Sequence, residues 1–115
     1  MTTISARLAE LDIELPEVVP PLAAYVPAVV TGSYAYTSGQ LPSRKGELLA
    51  TGIVGRDVDT DTAYACARQC AINAIAAAAA AAGGVDRLAR VVKVLGFVAS
   101  APDFTAQPAV INGAS

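Results

Sequence analysis

A chain of 115 residues has room for one hydrophobic core and not for two. Its formal charge is -2, with the eight Lys and Arg scattered from Arg7 to Lys93, so there is no basic stripe to track a phosphate backbone and nucleic acid is not the expected partner. Histidine is absent, which removes Ser-His-Asp and Cys-His nucleophile pairs and most zinc sites together.

Apolar residues make up 54% of the chain and charged residues 16%, a balance that leaves little polar surface and favours an oligomer with buried faces. The two cysteines, Cys66 and Cys70, stand four apart in a helical pattern. They share one helix face and read as small core residues rather than a disulfide or a metal pair. The Met1-Thr2-Thr3 start has neither a basic nor an apolar signal region, and a cytoplasmic location is expected. The apolar run 74–82 spans nine residues, less than half of a bilayer crossing, so no membrane association is expected.

In chain order, Ile4, Leu8 and Leu11 repeat at helical spacing with Arg7 and Glu10 opposite, which predicts an N-terminal amphipathic helix over 3–11. Pro16, Pro20 and Pro21 then make 15–21 an extended arm. Val26, Val29 and Val30, then Thr31-Gly32-Ser33, then Tyr34, Tyr36 and Thr37 predict a β-hairpin over 25–40. Ser38-Gly39-Gln40-Leu41-Pro42 closes its second strand, and Gly39 offers dihedrals closed to other residues and a backbone that a ligand can approach. Residues 44–47 read as a solvated loop tip, and Ile53 and Val54 as a short edge strand between Gly52 and Gly55.

Asp59-Thr60-Asp61-Thr62 supplies capping side chains for a long helix over 63–82, and Gly83-Gly84 supplies its stop. Ala76 to Ala82 are seven consecutive alanines, with high helix propensity and little volume, so this helix should lie very close to its neighbours. Residues 88–100 are nearly continuous in Val, Leu and Phe and predict a central strand buried on both faces, with Lys93 as the charge in its middle that needs a partner or a cavity. A second helix is expected to begin at Asp103. Hairpin, short strand, helix, strand and helix give an α+β fold with helices on one face of a sheet.

Several short motifs in this order resemble the reactive intermediate deaminase family, also called YjgF-like or L-PSP endoribonuclease-like. They are Ala24-Tyr25-Val26, Thr37-Ser38-Gly39-Gln40-Leu41-Pro42, Ala67-Arg68-Gln69-Cys70 with Asn73, Ala82-Gly83-Gly84, and Lys93 with Gly96-Phe97-Val98 and Asp103-Phe104. The match covers about residues 25–104. The N-terminal arm, Gly-Phe-Val and Asn-Gly-Ala look more like the branch labelled chorismate-mutase-like, putative endoribonuclease.

The resemblance implies a single domain over 1–115 with a chorismate-mutase-like mixed sheet, assembled as a homotrimer with sites in the clefts between subunits. It implies hydrolysis of enamine or imine intermediates to 2-keto acids and ammonia, without a metal or any other cofactor. The partner would be a small carboxylate-bearing imine, enamine or keto acid. Carried over by position, Tyr25, Ser38 and Gly39 are the substrate-binding residues, while no catalytic residue can be assigned. Pro108 stands where active members have an Asn and offers neither an amide nor a backbone N–H. The family's carboxylate-gripping Arg and late Glu belong to a C-terminal strand region that this sequence lacks. A non-catalytic carboxylate-binding or interaction protein is therefore the alternative reading. The endoribonuclease or translation-inhibitor activity attached to the family name is the third, since only two Phe and four Tyr are available for stacking.

Overall fold

A computed structural model describes residues 3–18 and 24–115. The part of the predicted arm over 19–23 lies outside these residues. The chain contains helices and strands, as expected for an α+β protein, and it divides into two compact units. Unit 1 comprises 1–39 and 73–90, and unit 2 comprises 40–72 and 91–115.

In unit 1, α1 (Ile4–Glu10) begins where Thr3 takes an extended conformation and its side-chain oxygen accepts from the Ala6 N–H at 3.2 Å. Ile4 and Leu8 are half-buried and Leu11 is exposed, so the apolar stripe is shorter than its sequence spacing suggested. β1 (Ala28–Thr31) and β2 (Tyr34–Thr37) form the expected antiparallel hairpin, in the register Ala28↔Thr37 to Thr31↔Tyr34. Gly32 supplies the positive φ of +56° that this two-residue connection uses.

The long helix α2 (Thr60–Ala82) runs through both units. Its N-terminus lies at the capping cluster, where Asp59 Oδ1 accepts from the Thr62 N–H at 2.7 Å, and the helix starts three residues before the predicted Ala63. Its end is where the diglycine placed it: Gly83 has φ +92°, and the Gly84 N–H donates to Ala79 O at 2.8 Å. Ala76, Ala77 and Ala79 are buried, whereas Ala80 and Ala81 are exposed. By length and mean hydropathy alone α2 could cross a bilayer, a property it shares with core helices of globular domains. A 3-10 turn over Val85–Arg87 follows.

In unit 2, the predicted loop tip at 44–47 is a small hairpin. β3 (Ser43–Arg44) pairs with β4 (Glu47–Leu48), and both turn residues, Lys45 and Gly46, have positive φ (53° and 81°), the conformation of a type I′ turn. Val54 is not on an edge strand. It is buried beside Ala63 and Val110, with Val58, Ala67, Val98 and Phe104 packed on this core. Its backbone bridges Ser100, the Val54 N–H donating to Ala99 O at 2.8 Å and Val54 O accepting from Ala101 N–H at 2.9 Å.

The largest departure concerns 88–100. Residues 88–99 run without turn or bend, but they have no ladder partner, and the described strands form two separate two-stranded sheets rather than one mixed sheet. The segment is not buried on both faces, and Lys93 is exposed. A Cβ built on Gly96 would collide with the Ile111 side chain, and Val98 reaches the core, so the segment is packed at 96 and 98. Val91, Val92, Val94, Leu95 and Phe97 are all open to solvent.

The last helix, α3 (Gln107–Ile111), starts four residues later than expected, because Asp103 lies in a turn. Proline at 108 has no N–H to donate four residues back, so it fits only the first turn of a helix. The Phe104 carbonyl is taken instead by Gln107 Nε2 at 2.9 Å. Cys66 and Cys70 are half-buried rather than core residues, and burial raises the pKa of both thiols.

Candidate functional site

The three expected binding residues lie in unit 1, at the open end of the β1–β2 hairpin. The Ser38 N–H donates to Pro27 O at 2.9 Å, extending the ladder by one pair, and the Ser38 hydroxyl donates to the same carbonyl at 3.2 Å. Ser38 is thus half-buried and held at the base of the hairpin from two atoms. Gly39 follows it, exposed, and a Cβ placed there would meet no atom within 4 Å. Its φ is not positive, so the value of glycine here is open backbone rather than the unusual dihedral expected from the sequence. Tyr25 precedes Pro27 by two residues on the facing side of the hairpin and is half exposed. Antiparallel pairing therefore brings Tyr25 to the same end of the hairpin as Ser38 and Gly39.

This arrangement offers a hydroxyl fixed by the backbone, a peptide unit open to close approach and a half-exposed ring. Such a set can bind and orient a small polar molecule. None of the three residues is a carboxylate, imidazole or amine, the groups that most often activate water, so the set itself offers binding and orientation. Pro108, in unit 2, occupies the first turn of α3, where its missing N–H costs that helix nothing.

Unit 2 holds a cleft of about 450 Å³ lined by residues 55–60 and Phe104, which the sequence reading did not single out. The signal available for it was Gly55-Arg56-Asp57 just before the capping Asp59. Gly55 has φ +92°, and its Cα lies so close to Phe104 that an added Cβ would sit 2.9 Å from the Phe104 Cβ. Arg56 pairs with Asp57 (Nη2 to Oδ2 2.9 Å), and Asp57 also accepts from the Ile53 N–H at 2.8 Å.

Hydrogen bonds from Arg56 first, and from the Ile53 N–H second, hold the Asp57 carboxyl below its ordinary pKa. Asp59 is lowered likewise by the Thr62 hydroxyl and N–H. With two ionised carboxylates on its wall and its cation already paired, the cleft disfavours an anion. Among the described residues, no three His, Cys, Asp or Glu side chains are placed to hold a metal ion.

Residues 5–115 match the family described as YjgF/chorismate mutase-like, putative endoribonuclease. The chain is 40% identical over 112 residues to Protein TCP17 of Trypanosoma cruzi, covering 97% of this chain and 70% of that one. Among solved structures, it resembles the protein Atu1372 of Agrobacterium tumefaciens, described as of unknown function, with 46% identity and a TM-score of 0.85 over 97% of this chain and 69% of that one. It also resembles a protein of Shewanella oneidensis described as a putative endoribonuclease, with 34% identity and a TM-score of 0.86 over 98% and 75% of the two chains.

Proposed function

Because the chain belongs to the YjgF/chorismate mutase-like family, we propose that it is a small-molecule domain that binds a carboxylate-bearing imine, enamine or keto acid at the open end of its β1–β2 hairpin. The observation that carries this reading is the Ser38-Gly39 pair. Ser38 is anchored to Pro27 O through two atoms, and Gly39 directly after it has 4 Å of clear space where a side chain would be. A rigid support beside open backbone is what a short polar ligand needs for orientation. Binding is better supported than deamination, because Tyr25, Ser38 and Gly39 include no carboxylate, imidazole or amine to serve as a general base.

Isothermal titration with 2-ketobutyrate tests the binding. A saturable heat that Tyr25→Ala and Ser38→Ala each reduce supports it, and an absence of heat up to millimolar ligand refutes it. A coupled assay of 2-aminoacrylate hydrolysis, run on the same preparations, separates binding from turnover.

A second reading, RNA cleavage, takes its support from the descriptions of the family and of the Shewanella oneidensis protein. It also has a structural observation in its favour: Tyr34 and Tyr36 stand side by side on β2 with ring centroids 6.3 Å apart, both more than half exposed, as a stacking surface would be. Incubation with a labelled single-stranded RNA decides it. Cleavage lost in Tyr34→Ala and Tyr36→Ala would favour this reading over the first.

A further inference from the structure

We infer that Cys66 and Cys70 form a two-thiol site for a soft monovalent metal ion, copper(I), on one face of α2. The two residues stand about one helical turn apart, and both belong to unit 2. Both are half-buried, so their thiols share a face that an ion can reach and that is partly shielded from water.

The spacing decides what the pair can do. Residues four apart on a helix hold their Cβ atoms about 5–6 Å apart, beyond the roughly 3.5–4.5 Å that a disulfide requires. A direct S–S bond would distort α2, whereas a metal ion with bonds to sulfur of about 2.3 Å reaches two sulfurs up to about 4.6 Å apart. The donor count then selects the metal. Zinc takes four protein donors in a closed site, and among the described residues no third His, Cys, Asp or Glu side chain is grouped with the two thiols. Thiolate sulfur selects copper(I), which two such ligands satisfy in a linear arrangement.

Binding breaks two S–H bonds and forms two Cu–S bonds; the two protons go to solvent and copper keeps its +1 state throughout. Burial raises the pKa of both thiols, and the charge of Cys66 raises that of Cys70 further, so the metal-free pair is protonated at neutral pH. A cation between the sulfurs cancels the repulsion between the two thiolates. Copper(I) therefore competes with protons, and its affinity falls as pH falls.

Anaerobic competition for copper(I) against bathocuproine disulfonate, whose copper(I) complex is coloured, reads the binding. The parent chain should withdraw one copper(I) per chain, with an affinity that drops about a hundredfold for each unit of pH because two protons are displaced. Cys66→Ser and Cys70→Ser should each weaken binding by about tenfold or more, with helix content by circular dichroism unchanged. Adding Arg68→Cys to the Cys70→Ser chain restores two thiols but sets them two positions apart, where they do not face each other. That chain should bind as weakly as Cys70→Ser alone. Copper left with the chelator by the parent chain would overturn the inference. So would one copper shared between two chains, single-Ser variants that bind like the parent, or recovery of affinity on adding Arg68→Cys.

Discussion

Asp86 closes the N-terminus of α1 from 81 residues away: its two carboxylate oxygens accept from the Ser5 N–H at 2.7 Å and from the Ser5 hydroxyl at 2.6 Å. One side chain thereby fixes a helix that buries no residue of its own, and it satisfies a first-turn N–H that the helix cannot. The Ser5 hydroxyl, and then its N–H, lower the Asp86 pKa. The consequence for pH follows from the sign. A carboxyl with a depressed folded-state pKa stabilises fully above its unfolded value, near 3.9, and that contribution is lost as pH falls through the folded value. In hydrogen exchange, the α1 amides should be protected at pH 7 and lose that protection only as pH falls below the unfolded carboxyl value and through the depressed folded one. Asp86→Ala should show open α1 amides at pH 7 as well as in acid. Equal protection in the mutant at pH 7 would mean that α1 is held by something else.

The Asp59 cap follows the same sign. Its pKa is lowered by the Thr62 hydroxyl and N–H, so its support of α2 is complete at neutral pH and disappears in acid. Asp59→Ala should lower the midpoint of urea unfolding at pH 7 and shift it little below the folded-state pKa. A constant difference across the two conditions would show that the side chain acts without its charge.

Close packing at the C-terminal half of α2 gives a paired prediction. Ala79 is buried and Ala80, its neighbour, is exposed. Ala79→Leu should destabilise by about 1–3 kcal/mol through overpacking. Ala80→Leu should stay within about 0.5 kcal/mol of the parent. Chemical denaturation measures both, and equal effects would contradict the assignment of the buried face.

Gly55 combines a positive φ with a blocked Cβ position beside Phe104, so both backbone strain and steric conflict oppose a side chain there. Gly55→Ala should cost about 2 kcal/mol in urea unfolding. Gly46→Asn should cost much less, since Gly46 has a positive φ but open space, and Asn tolerates that conformation. A Gly55→Ala protein as stable as the parent would remove the close contact between residue 55 and Phe104 from this account.

Local signals were legible in the sequence where local physics decides them. The Asp59 cap and the Gly83-Gly84 stop framed α2, and the Gly32 turn framed the β1–β2 hairpin, because each depends on residues within a few positions. Family membership was legible from the ordered motifs between Tyr25 and Phe104. The segment 88–100 was misread because continuous Val, Leu and Phe report only that the segment is apolar. Whether such a segment is buried depends on which strand lies beside it, and that is a long-range property. The start of α3 was set by Pro108 rather than by Asp103, a local rule that could have been applied. The 55–60 cleft depends on how closely Phe104 approaches Gly55, and no spacing in the sequence encodes it.

The central claim, a ligand site at the open end of the β1–β2 hairpin, is tested most directly by a ¹H–¹⁵N titration of the labelled chain with 2-ketobutyrate. The account predicts saturable shifts at the amides of Tyr25, Ser38 and Gly39, and loss of those shifts in Ser38→Ala with the rest of the spectrum unchanged. Shifts confined to residues 55–60 and Phe104, or no saturable shifts at all, would contradict it.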